Sequence, residues 1–229
     1  MKRATLAAAS GLALCGLAPA AMAGQLVIEL TTEFSNAAAP AGSAPWARAT
    51  FTDEGGGVVG LLLECLLQDS NEFMAKAAGG SNNPKGWVFN LDPSLNADNL
   101  SFNLVSGDAA SAIHTGANEF QAGPDRWYDL VFQWSGGLRG GDVAEYDLTI
   151  SSGTLTAASF DFVSAGGPVG RTGWHSAAHV QGICNPSSGQ GGSGWMGGGT
   201  VQAIPLPSAG VLGLAGLGLV ASRRRRAIA

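Results

Sequence analysis

The sequence predicts an all-β fold, an antiparallel β-sandwich or jelly roll, and three observations predict it. The interior of the chain is cut into short apolar or alternating runs bounded by Gly, Asn, Asp, Ser and Pro, the punctuation of strands and turns. No interior segment sustains a 3.6-residue hydrophobic period for three turns, so no helices are on hand to make the crossovers of a parallel sheet. Glycine accounts for 35 of 229 residues, roughly twice its usual ~7% share. Only 13% of residues are charged against 45% hydrophobic, which excludes a coiled coil, a helical repeat array and a charge-rich disordered tail while leaving enough apolar matter for a core.

Taken in order, residues 1–23 have a basic start (Lys2, Arg3), an apolar stretch from Leu6 to Leu17 and the small-x-small ending Ala21-Met22-Ala23 before Gly24. This is the layout of a secretory signal peptide cleaved after Ala23. A core helix would interleave polar residues to form a solvent face, whereas only Thr5 and Ser10 are polar between Arg3 and Ala23. Residues 24–184 then form the β domain, with nine candidate strands at 25–32, 46–53, 58–68, 86–92, 100–105, 127–134, 143–150, 155–163 and 174–184. Residues 71–78 are a candidate short helix. Phe51, Trp87, Phe89, Phe102, Trp127, Phe132, Trp134, Phe160 and Phe162 are the aromatic residues expected to fill the core. Residues 185–203, rich in Gly and Ser, are expected to be a loop and linker, with Trp195 as a last packing anchor. Residues 204–229 carry Pro205-Leu206-Pro207-Ser208, no charge from Ser208 to Ser222, then Arg223, Arg224, Arg225 and Arg226. A helix there is short of the ~20 residues that span a bilayer comfortably, yet it can cross with its arginines held on the cytoplasmic side.

The net charge of −5 hides an uneven distribution. Half of the 12 basic residues lie in the two end segments, so between them 6 basic residues face all 17 acidic ones, a net −11. Such an acidic middle argues against nucleic-acid binding, which needs a basic footprint.

Chemistry-bearing motifs are few. Outside the first segment two cysteines remain, Cys65 in an apolar run and Cys184 at the end of the last candidate strand. In an oxidising compartment they either pair as a disulfide or stay as two buried thiols. His175 and His179 form an H-x-x-x-H pair, but on a strand their Cα atoms stand roughly 13 Å apart, too far for two imidazoles to share one ion. Counting by two puts His175, Ala177, His179, Gln181 and Ile183 on one face, with Trp174, Ser176, Ala178, Val180 and Cys184 on the other. His179 and Gln181 are expected to share a hydrogen-bond network, either a structural one or, with Trp87 and Trp127, a polar and aromatic face for a sugar. Glu119, Asp125, Asp129, Asp142, Glu145 and Asp147 fall in or beside turns without the fixed offsets of a calcium loop. No catalytic, phosphate-binding or zinc motif is present in the sequence, so no metal or cofactor is expected.

Two resemblances add to this reading. The order of Pro205-Leu206-Pro207-Ser208, a short Gly/Leu helix and the cluster Arg223–Arg226 resembles the PEP-CTERM sorting signal of Gram-negative bacteria, with Leu206 where that family usually has Glu. Trp46-Ala-Arg-Ala-Thr-Phe, Gly86-Trp-Val-Phe-Asn-Leu-Asp-Pro, Ala177-Ala-His-Val-Gln-Gly-Ile and Ser193-Gly-Trp195 together look like a group of uncharacterised secreted PEP-CTERM proteins. The resemblance implies export by the secretion machinery, a transient inner-membrane tail, and cutting near the motif by an exosortase, with passage to the cell surface or extracellular polysaccharide matrix. It implies no catalytic residue. The expected function is therefore that of a non-catalytic secreted surface or matrix protein. The alternative is an extracellular carbohydrate-binding module, and a glycan-processing enzyme ranks third.

Overall fold

The computed structural model describes residues 24–78, 85–165, 173–184 and 191–201. The expected signal segment 1–23 and the expected sorting motif and membrane helix of 204–229 lie outside the described residues. Among the described residues no helix is long and apolar enough to cross a membrane.

Among the described residues eleven strands carry the fold: β1 (Gln25–Glu33), β2 (Ala47–Gly55), β3 (Val58–Cys65), β4 (Phe73–Met74), β5 (Trp87–Phe89), β6 (Leu100–Gly107), β7 (Ala112–Gln121), β8 (Trp127–Gln133), β9 (Val143–Ile150), β10 (Ser176–Cys184) and β11 (Gly191–Val201). Every pairing between strands is antiparallel, in the order β6-β9-β3-β2-β1-β11-β10-β5-β8-β7, with β4 added on β10. The all-β, antiparallel expectation therefore holds. The two separate sheets of a sandwich do not, because β1 and β11 hydrogen-bond the halves into one sheet that curls until it nearly closes into a barrel.

Aromatic side chains inside the curl hold its halves together. Phe51 of β2 stacks on Phe160 with centroids 4.2 Å apart and meets the edge of Phe89 of β5 at 5.7 Å. Phe102 of β6 meets Phe132 of β8 edge-on at 5.5 Å. Edge-to-face and stacked pairs of this kind contribute roughly 0.5–1.5 kcal/mol each beyond burial alone. A smaller apolar cluster of Val88, Phe120, Ala122, Tyr128, Val131, Ala177 and Trp195 lies apart from this main core. Strands β5, β8 and β10 and the middle of β11, Gly194–Gly198, are thus largely buried on both faces.

Four segments differ from the sequence reading, each for a physical reason. The expected linker at 185–203 carries β11, which lies between β1 and β10 at the joint of the sheet. Its glycines are required by close approach rather than by flexibility: a Cβ on Gly198 would fall 1.8 Å from the Glu29 carbonyl oxygen, and one on Gly197 would fall 2.7 Å from the Trp174 ring. The candidate strand at 155–163 is instead a 3-10 turn, Ala157–Phe160. There the Thr156 N–H donates to Ser159 Oγ at 3.1 Å and the Ala157 N–H to Asp53 Oδ1 at 2.6 Å, which closes the backbone on itself and still delivers Phe160 to the core. The candidate helix at 71–78 holds β4, since Ala75 adopts φ 56° and Met74 exchanges two backbone hydrogen bonds with Leu138, both 2.8 Å. Strand β7 was hidden by Gly116 and Asn118, and its register against β8 breaks between Thr115 and Phe120, where Asn118 stands at φ 52°.

Candidate functional site

The residues singled out by sequence do not converge on one surface. Trp87 is fully buried, and its indole N–H donates to Ser176 Oγ at 2.9 Å. That hydroxyl in turn donates to the Val88 carbonyl at 2.7 Å, so Trp87 belongs to the core and not to a sugar-binding platform. Trp127 is half-buried at the start of β8, with its backbone paired to Gln121 and Ala165.

His179 and Gln181 do meet, as their spacing predicts: Gln181 Nε2 lies 3.3 Å from His179 Nδ1. The imidazole is 5% exposed and sits edge-on to Trp195 with centroids 5.2 Å apart. Burial, reinforced by the nearby positive charge of Lys85, lowers the His179 pKa to about 4, so the ring is neutral at physiological pH. A neutral imidazole held by a glutamine and an indole is a packing element. Counting by two also fails beyond Gln181, because a bulge at Gly182 (φ 79°) turns Ile183 into the main core with Ala178 and Val180.

Cys65 and Cys184 are both free, which corrects the disulfide alternative. Cys65 is buried, its thiol donating to the Leu138 carbonyl, and burial pushes its pKa up to about 12. Cys184 is exposed at the end of β10. His175 pairs with Asp161 at 3.1 Å rather than with His179.

Three of the acidic residues singled out by sequence accept hydrogen bonds within the chain itself. Asp125 accepts from Tyr128 Oη at 2.9 Å and Ser164 Oγ at 3.1 Å, Asp142 from the Arg139 N–H at 2.7 Å, and Glu145 from Ser106 Oγ at 2.8 Å. Among the described residues no three carboxylate, His or Cys groups gather as metal ligands. Chelation with EDTA is accordingly expected to leave the thermal melting temperature unchanged. A fall in that temperature on chelation would show that an ion binds the native state.

What the sequence did not reveal is a cleft of about 130 Å³ between the loop after β5, the irregular middle of β7 and residues 162–165. Asp129 of β8 is 9% exposed and lies among its lining. One carboxylate oxygen accepts the Leu91 N–H at 2.8 Å and the other the Asn118 N–H at 2.7 Å, so a single side chain ties two walls together. The Asn90 amide, 3% exposed, donates through Nδ2 to the carbonyls of Trp174 at 3.1 Å and His175 at 3.2 Å, which fastens the same loop to the start of β10. Phe162, expected in the core, is half-buried here, and Val163 beside it is 51% exposed. The available sequence signals were Asn90, inside the Gly86-to-Pro93 motif, and Asn118, a residue type that tolerates positive φ. No family model, curated protein or solved structure matches the chain, so its functional reading rests on its own residues.

Proposed function

We propose that the chain is an exported, non-catalytic β domain sorted through its C-terminal segment to the cell surface or extracellular polysaccharide matrix. The observation that carries the reading is the order at the end of the sequence: Pro205-Leu206-Pro207-Ser208, an uncharged stretch to Ser222, then Arg223–Arg226. An uncharged apolar segment closed by four arginines is a tail that the membrane holds with its charge inside, and an exosortase-like membrane protease reads the proline motif ahead of it. The burial of Trp87 and the packing role of His179 leave the sugar-binding face drawn from sequence without support.

The mature surface form is expected to lack Arg223–Arg226. Mass spectrometry of protein extracted from the cell surface reads this directly. An intact C-terminus on that material would overturn sorting and leave a permanent anchor.

A further inference from the structure

We propose that the cleft over Asp129 binds one neutral sugar ring of an extracellular polysaccharide. The proposal deepens the matrix reading above, on which it rests for the choice of a polysaccharide, by naming what the domain holds there.

The first argument is preorganisation. A site that must order its walls on binding loses affinity to that ordering. Here the walls are fixed beforehand, by the two N–H groups on Asp129 and by the two carbonyls on Asn90. Asn118 is held at φ 52° on the rim through its bond to Asp129.

The second argument is the chemistry of the lining. Both described bonds of the Asn90 amide use its nitrogen, which leaves the amide oxygen as an acceptor, and each Asp129 oxygen has taken one N–H and has capacity for another. These acceptors suit hydroxyl donors. Leu95, Phe162 and Val163 supply apolar wall, so the cleft combines a hydrophobic surface with a few fixed polar groups, the usual make-up of a small-molecule site.

Charge and size narrow the ligand further. The described lining residues include the carboxylates of Asp92 and Asp129 and no Lys, Arg or His, so an anionic sugar meets like charge with no counter-ion. A volume of about 130 Å³ is well under the ~300 Å³ at which sites for drug-sized ligands begin. It admits a single ring, and the rest of a polymer must run outside along the exposed rim at Val163.

The test is saturation-transfer NMR on the full-length chain in detergent micelles, with the methyl glycosides of glucose, galactose and mannose and with methyl galacturonoside as the charged counterpart. Transfer to at least one neutral glycoside is expected, with less to the galacturonoside. Ala117 is exposed on the rim, and Ala117→Trp is expected to fill the mouth and weaken the response roughly tenfold or more. Val163→Asp, at an equally accessible position, serves if the first variant does not fold. The proposal is overturned by absence of transfer to every neutral glycoside, by an unchanged response in a folded rim variant, or by preference for the galacturonoside. A chain trimmed at its C-terminus that binds no glycoside would sink this proposal alone, and an intact chain that binds one would sink only the sorting reading.

Discussion

Replacing Gly198 with alanine is expected to unfold the domain or to lower its stability by more than ~3 kcal/mol, although it adds one methyl group to a segment that reads as a linker. Gly198 pairs with Leu30 of β1 on one side and with Ser176 of β10 on the other, at the joint that makes one sheet of two halves. A Cβ there would lie 1.8 Å from the Glu29 carbonyl oxygen and 2.8 Å from the Leu30 Cα. Both are backbone atoms, so no rotamer change relieves the overlap, and β1 and β11 must separate. Position matters more than glycine content, and the same strand supplies the control. A Cβ on Gly192 meets nothing closer than the Ile183 carbonyl oxygen at 3.5 Å, so Gly192→Ala should stay within about 0.5 kcal/mol of the parent. Urea titrations of the two variants decide the matter. Equal midpoints would mean that β11 does not join the sheet as described.

The same strand shows where the sequence stops being readable. Strands such as β1 and β2 alternate buried and partly exposed residues along their length, and period-two patterning finds them. Most of β11 has no side chains to alternate, and what fixes it lies elsewhere: the Trp174 and Phe34 rings that cover Gly197, and the backbone of β1 that presses on Gly198. The opposite error occurs at 155–163, where Phe160 and Phe162 alternate like strand residues while Thr156 and Ser159 satisfy the backbone locally. The His179–Gln181 pair was legible because it depends only on residues two apart in a strand, and legibility ended at Gly182, where a positive φ reverses the faces. The cleft as a whole was beyond reading, although Asn90 and Asn118 were visible as residue types. Asn90 lies beside Asp129 through the β5–β8 register, but Asn118 reaches it only where β7 breaks its register against β8, an event to which the intervening sequence contributes no hydrophobic period.

Wild-type protein is expected to lose on the order of 3 kcal/mol of stability between pH 6.5 and pH 4 through His179 alone, from a depression of its pKa from 6.5 to about 4. The sign follows from which state takes the proton. In the unfolded chain the imidazole titrates near 6.5, whereas in the fold it stays neutral until about pH 4. Between those values the unfolded state binds the extra proton and is favoured, above 6.5 the contribution is fully present, and below 4 the loss is complete. The causes are structural, burial first and the charge of Lys85 second. Lys85 also places its ammonium 5.5 Å from the centroid of Trp195, the indole that His179 abuts. A neutral ring accepts at Nδ1 from Gln181, and a protonated ring would set N–H against N–H there. Glu72 acts in the opposite direction, because burial raises its pKa and the fold gains from its protonation as the pH falls. The overall acid profile therefore mixes signs, and the difference between parent and His179→Gln is the quantity to measure. Denaturant midpoints at pH 7.5, 6, 5 and about 4 should show the parent losing ground to the variant across this interval. Parallel curves would mean that solvent reaches the ring and that His179 does not owe its neutrality to burial.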